Sequence, residues 1–217
     1  MKAHSSRVPG KNFRNLHGRP LFEWILDTLI DLPFVDQILI NTDARKELAE
    51  AGLKESSRVV IKDRPESLWG DEVSMNLILQ DDLATHPADH YLMTHTTNPL
   101  LTVESLGTAW RDYRAAIDED FDSLFSVTRH QTRFYTAAAE PINHDPNNLV
   151  PTQDLEPWYE ENSCFYFFTA ESFSRTGARI GERPKLYEIG SHEAVDIDAW
   201  TDWYLAEGLL TNRGALR

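Results

Sequence analysis

The sequence predicts an α/β fold with a largely parallel sheet. Three observations carry that expectation. Short apolar runs alternate with helical patterns from Pro20 to Ile117, the order that builds βαβ units. The apolar runs exit into polar loops holding Asn, Asp, Thr or Pro. A length of 217 residues, 41% hydrophobic and 26% charged, suits one domain able to bury a proper core.

The elements follow in order. Pro20 to Leu32 reads as a helix, with Pro20 suited to a first turn and Leu21, Ile25, Leu29 and Leu32 at helical spacing. Gln37 to Ile40 is a strand that exits through Asn41, Thr42 and Asp43. Arg45 to Ala51 is a short helix stopped at Gly52. Arg58 to Lys62 is a strand, and Asp63 to Gly70 a loop punctuated by Pro and Gly. Ser74 to Leu83 is a helix capped near Glu72 to Ser74. His90 to Thr94 is a strand, and His95 to Pro99 its exit loop. Val103 to Ile117 is a helix with Trp110 and Tyr113 on a packed face.

Beyond residue 122 the pattern changes. Ser123 to Thr128 is a strand, and Phe134 to Ala138 is read as another. Glu140 to Pro157 is polar and carries Pro141, Pro146, Pro151 and Pro157. A stretch of that length without regular structure is commonly functional or an arm for a second chain. Ser163 to Thr169 is a strongly apolar strand, Ala170 to Thr176 a short helix, Pro184 to Glu188 an extended piece, and Ala199 to Leu210 a closing helix.

Charge narrows the function. The chain carries a net charge of −14, which argues against a nucleic-acid backbone as partner. No apolar run approaches the roughly 20 residues that span a bilayer. The lone Cys164 excludes an intramolecular disulfide and suits a reducing cytoplasm, the expected location. Against this acidic background the segment from Met1 to Phe22 holds Lys2, Arg7, Lys11, Arg14 and Arg19 and no carboxylate. Ser5, Ser6 and Gly10 let backbone N–H groups come close to phosphate oxygens. Arg7 supplies a planar fork and Lys11 a point charge. The segment reads either as a phosphate-binding loop or as a solvated basic tail.

Asp196 and Asp198 flank Ile197. In an extended segment residues two apart point the same way, so both carboxylates face one spot while Ile197 enters the core. Like charges so placed repel unless a cation lies between them. Mg²⁺ suits such a pair, because it takes one or two protein carboxylates plus phosphate oxygens and water. Two surface acids at a strand end remain the other reading. Asp81-Asp82 and Asp118-Glu119-Asp120 are expected to be solvated. The eight His residues show no zinc spacing, and no GxGxxG, Walker or GxSxG motif occurs.

The stretch Ser5-Ser6-Arg7-Val8-Pro9-Gly10-Lys11-Asn12, followed by Gly18-Arg19-Pro20-Leu21, resembles the opening motif of the CMP-sugar synthetases. These are the acylneuraminate cytidylyltransferases, related to the CMP-KDO synthetases. Three later stretches resemble the same family in the same order: Arg64-Pro65-Glu66-Ser67-Leu68 with Asp71; Thr97-Asn98-Pro99-Leu100; and Tyr159-Glu160-Glu161-Asn162 together with Val195-Asp196-Ile197-Asp198. The chain departs from the pattern where Lys2 replaces an Arg, where Ser6 stands in a position often held by Lys, and where His95 replaces a common Gln. The family opens with a buried apolar strand, so the expectation is that a first strand precedes Met1.

The resemblance implies a three-layer, nucleotide-diphospho-sugar transferase-like (Rossmann-like) domain over residues 1–217. Residues 129–162 would form a dimerisation and sugar-site arm. It implies transfer of CMP from CTP to the anomeric hydroxyl of an acidic nine-carbon keto-sugar of the sialic, legionaminic or pseudaminic type, with Mg²⁺ and release of pyrophosphate. The alternatives are a CMP-KDO-type or other sugar nucleotidyltransferase, or an inactive nucleotide-binding relative. Lys11, Lys2, Arg7 and Asp198 are the expected catalytic residues. Ser5, Ser6, Asn12, Arg64 and Ser74 are expected on the nucleotide. His95, Thr97, Gln153, Asn162 and Tyr166 are expected on the sugar, and Asp196 and Asp198 on the metal. The expected partners are CTP, an acidic keto-sugar and a second copy of the chain, with no nucleic acid or membrane.

Overall fold

The computed structural model describes residues 1–212. After the N-terminal loop comes a hairpin, β1 (Asn15–Leu16) and β2 (Arg19–Pro20). Its two-residue turn puts His17 at φ 49° and Gly18 at φ 99°, the positive-φ pair that a type I′ turn requires. Pro20 caps α1 (Leu21–Ile30), which buries Leu21, Phe22, Ile25 and Leu26. The chain continues through β3 (Ile38–Thr42), α2 (Arg45–Glu50), β4 (Val59–Asp63), α3 (Met75–Thr85), β5 (Tyr91–Thr94) and α4 (Val103–Asp118). Then come β6 (Ser123–His130), β7 (Trp158–Phe168), α5 (Ala170–Thr176), β8 (Pro184–Glu188) and α6 (Trp200–Thr211). The expected helices and strands up to Thr128 form within a few residues of their predicted bounds. No helix among the described residues is long and apolar enough to cross a membrane.

The sheet is mixed. β3 and β4 pair in parallel, and a four-stranded sheet runs in the order β5-β7-β6-β8. There β7 is antiparallel to both β5 and β6, while β6 and β8 are parallel. One reversed strand therefore interrupts an otherwise parallel set, because the link from β6 to β7 is the arm and not a crossover helix. Cys164 to Phe168 of β7 are all fully buried, as befits a central strand covered on both faces. Phe165 and Phe167 pack with Ile25 of α1 and Leu106, Ala109 and Tyr113 of α4. Tyr166 and Phe168 pack on the other face with Leu79 of α3 and Phe173 of α5. Helices on both faces make three layers. On the packed face of α4, Tyr113 stacks on Phe167 at 5.3 Å and Trp110 on Phe34 at 4.8 Å.

Two expectations change. Phe134 to Ala138 is not a strand: Tyr135 makes one isolated bridge to Pro141, and the chain reverses at Ala139 with φ 61°. β7 begins earlier than its apolar run, because Trp158 to Glu161 pair with Val127 to His130 beyond a register shift. That ladder is exposed on the β7 side, so no hydrophobic run announces it. Ser163 at φ 59° marks the kink.

Among the described residues β3 and β5 each have one unpaired edge. Successive residues of each strand, Ile38 to Asn41 and Tyr91 to Thr94, line a single cavity of about 1450 Å³. Side chains alternate across a strand, so consecutive lining residues mean that the cavity meets the strand edges. Ile38 N–H donates to Arg58 and the Thr42 carbonyl accepts from Arg64, so even-numbered residues of β3 face β4. Leu39 and Asn41 turn their backbone groups to the cavity, where the Asn41 carbonyl accepts from the Met1 amine.

Candidate functional site

The N-terminal loop turns on Gly10, at φ 64°, and enters a single helical turn at Lys11 to Phe13. Only a residue without Cβ takes that φ freely. Val8 is fully buried and anchors the loop from below. Asn12 fixes it from the side, donating to the Lys2 carbonyl at 2.8 Å and accepting from the Thr96 hydroxyl at 2.8 Å. Lys11 is thereby aimed across the cavity. Its ammonium donates to the Ile197 carbonyl and lies 3.1 Å from the Asp198 carboxylate. Arg7 reaches the same oxygen at 3.0 Å. Two cations and the acid they share, 187 residues from Lys11, thus meet in the wall of one cavity.

The acid pair keeps the expected alternation. Ile197 is fully buried in a core cluster with Val8, Leu16 and Trp203, and its N–H donates to the Thr97 carbonyl at 2.9 Å. Asp196 and Asp198 both line the cavity. Burial raises the pKa of Asp196, opposed by a hydrogen bond from the Thr97 side chain and reinforced by the neighbouring Asp198 charge. One Asp196 oxygen, Oδ1, is buried without a partner. A buried carboxylate oxygen left unpaired costs stability unless something cationic meets it. The backbone at Asp198 is held by α6, whose Asp202 accepts from the N–H groups of Asp198 and Ala199 at 2.9 and 2.7 Å.

Across the cavity, Arg64 is buried, donating to the side-chain and backbone oxygens of Asn41 at 2.8 and 3.1 Å. Its remaining nitrogen, Nη1, is buried with no partner, and desolvation lowers its pKa. Asn41 also donates to Asp82 at 2.6 Å. Asp81 and Asp82, expected to be solvated, instead grip Lys62 at 2.6 and 3.0 Å. Lys2 pairs with Asp71 at 2.8 Å and with the Gly70 carbonyl at 2.9 Å, which ties the N-terminal loop to the loop after β4.

Ser5, Ser6, His95 and Thr97 also line the cavity. Burial, and then the Arg179 charge, push the His95 pKa down to about 4. Its ring is neutral at pH 7. Other expected residues are used differently. The Ser74 hydroxyl caps α3 by accepting from the Asn76 N–H at 3.3 Å, and it lines a second, smaller cavity. Asn162 is buried, spending its side chain on Ser126 at 2.6 Å, Thr128 at 3.1 Å and the Cys164 N–H at 3.3 Å. It fastens the kink between β6 and β7. Gln153 lies exposed in the arm, its carbonyl accepting from Gln131. Tyr166 is fully buried behind the wall, and burial with Glu161 raises its pKa to about 12. Between Tyr166 and the cavity stands Arg179. Nothing in the sequence marks that Arg, which sits past a helix stop in an unremarkable Gly-Ala-Arg-Ile run. Cys164 is fully buried, and burial pushes its thiol up to about 12, so it packs and does not react.

A family model described as cytidylyltransferase matches residues 1–195. N-acylneuraminate cytidylyltransferase A of Danio rerio is 28% identical over 210 residues, covering 94% of this chain and 47% of that protein. Pseudaminic acid cytidylyltransferase of Campylobacter jejuni is 22% identical, covering 94% of this chain and 90% of that protein. The chain spans about half the length of the fish relatives it matches. In fold it is similar to a CMP:2-keto-3-deoxy-manno-octonic acid synthetase complexed with CTP, with a TM-score of 0.68 at 14% identity over 98% of this chain and 96% of that one. Because that family model spans residues 1–195 of the 217, the chain belongs to the cytidylyltransferase family.

Proposed function

We propose that the protein transfers CMP from CTP to the anomeric hydroxyl of an acidic nine-carbon keto-sugar. The convergence of Lys11, Arg7 and Asp198 in one cavity carries this reading. The sugar oxygen forms a bond to the α-phosphorus, the bond to the β-bridging oxygen breaks, pyrophosphate leaves, and the hydroxyl proton passes to solvent. Negative charge grows on the phosphoryl and leaving oxygens. Lys11 and Arg7 stabilise it, and preorganised charge of this kind is commonly the largest catalytic contribution. Lys2, Ser5 and Ser6 line the same cavity and serve the phosphates, and the spare Nη1 donor of Arg64 serves the nucleotide. Asn12 acts by holding the loop in place. His95 and Thr97 serve the sugar side.

Asp196 and Asp198 fit Mg²⁺. Asp196 Oδ1 lacks a partner, and among the described residues no cluster of three acidic, His or Cys side chains could hold a metal alone. Two carboxylates completed by phosphate oxygens and water are the ligand set this ion takes. When bound it would neutralise phosphate charge and orient the triphosphate.

The arm supports a homodimer. Tyr135, Ile142, Leu149, Val150, Trp158 and Tyr159 are exposed along it, a density of apolar surface typical of an interface. Gln153, remote from its own cavity, then serves a partner's site. The lone buried thiol suits the cytoplasm. Ser6 in the loop favours one second reading, an eight-carbon acidic sugar, since the resemblance places a small hydroxyl residue there in KDO enzymes. Pyrophosphate release measured with CTP, UTP and ATP against sialic, legionaminic, pseudaminic and KDO acids tests the proposal. No release from any CTP-sugar pair overturns it.

A further inference from the structure

Five cations line the main cavity: Lys2, Arg7, Lys11, Arg64 and Arg179. Four of them belong to the nucleotide side. Lys2 pairs with Asp71, Arg7 and Lys11 share Asp198, and Arg64 is anchored on Asn41. Arg179 stands apart, on the turn after α5, which Gly177 at φ 67° redirects.

Its guanidinium is held in a fixed pose. It lies 3.9 Å from the centroid of the Tyr166 ring, a distance that gives a cation–π attraction. Nη2 donates to the Tyr166 oxygen at 2.9 Å and to Glu161 at 3.3 Å. The side chain is 18% exposed while Glu161 is 41% exposed, so the cation lies deeper than the acid it pairs with; Arg179 lines the main cavity, and with Glu161 it also lines the second, smaller one. Nη1 meets the Met93 sulfur at 3.8 Å. A thioether is a weak acceptor, and a guanidinium nitrogen is a strong, permanently charged donor. A preorganised donor facing the cavity over a poor acceptor is built for an incoming oxyanion.

An acidic sugar needs such a group. Asp196 and Asp198 share its cavity and repel its carboxylate, while the N-terminal cations face the triphosphate. We propose that Arg179 binds the carboxylate of the acidic sugar and sets the preference for acidic over neutral sugars. The assignment rests on the sugar-cytidylyl reading above and deepens it.

The test compares an acidic sugar with its methyl ester, using wild type, Arg179→Gln and Arg179→Lys, with CTP held constant and then varied. Arg179→Gln raises the KM for the acid by about 10- to 100-fold, leaves the CTP KM within about twofold, and brings the acid-to-ester ratio of kcat/KM close to one. Arg179→Lys retains part of that ratio, because a point charge replaces the fork. The ratio is internal to each variant and is unaffected by partial loss of folded protein. If Arg179→Gln keeps the wild-type ratio, or loses acid and ester equally, Arg179 is only a clamp on Tyr166 and Glu161, and the assignment is overturned alone. If wild type releases no pyrophosphate with any acidic sugar, the sugar-cytidylyl reading fails and takes the assignment with it.

Discussion

Lys11 is largely buried, and its ammonium is fixed between a carbonyl and a carboxylate. Such a charge acts at one point, so removing it is felt locally. Lys11→Ala is expected to lower kcat by about 10²- to 10³-fold. Asp198→Asn is expected to do at least as much while leaving the melting temperature near wild type, because Asp198 is 42% exposed. Steady-state kinetics paired with thermal melts check both. Turnover in Asp198→Asn within tenfold of wild type would remove Asp198 from the machinery. His95 makes a second prediction. Its pKa is about 4 in the folded chain against 6.5 unfolded, so below pH 6.5 the unfolded state binds more protons and stability falls as pH drops, levelling off near pH 4. The slope is at most about 1.4 kcal/mol per pH unit, and less to the extent that the half-buried ring keeps water. His95→Gln is expected to flatten that limb in urea titrations run from pH 7 to 4. At this scale the sequence was informative where charge and spacing coincide, as at Lys11 and the Asp196–Asp198 pair. It was silent on Arg179, because a single cation after a helix carries no periodic signal. It misplaced Asp81 and Asp82, because Lys62, their partner, sits on another element.

The kink between β6 and β7 shows how an element can be built on polar atoms. Ser126 is buried. Its hydroxyl donates to Asn162 at 2.6 Å and accepts from the Phe165 N–H at 3.0 Å. Ser126→Ala leaves the buried Phe165 N–H without this acceptor and takes from the Asn162 amide oxygen one of its two donors, the Cys164 N–H remaining, which costs about 1–3 kcal/mol. Urea unfolding of that variant should show the loss, and an unchanged midpoint would mean that the network carries nothing. The apolar half of β7 was legible as Ser163 to Thr169, but the polar half was not. Its register is set by this hydrogen-bonded kink and not by hydrophobic alternation. Helix ends were more legible, because their signals are local: Ser74, in the expected capping stretch, caps α3 by accepting from the Asn76 N–H, and Gly52 at φ 88° follows the end of α2.

At the scale of the molecule the α/β class, the helices on both faces and the ligand loops follow from the alternation of elements, which composition and period encode directly. Strand direction does not, and the reversed β7 had no local mark. Nor does pairing across the middle of the fold, where β3 and β5 each turn an open edge to the shared cavity. The same gap bears on how the halves of the molecule communicate. Asn41 and Arg64 stand on one bank and His95 and Asp196 on the other, with no ladder between β3 and β5 among the described residues. A nucleotide gripped from both banks would tie Asn41 and Arg64 to His95 and Asp196, so that occupancy couples the two sides of the site.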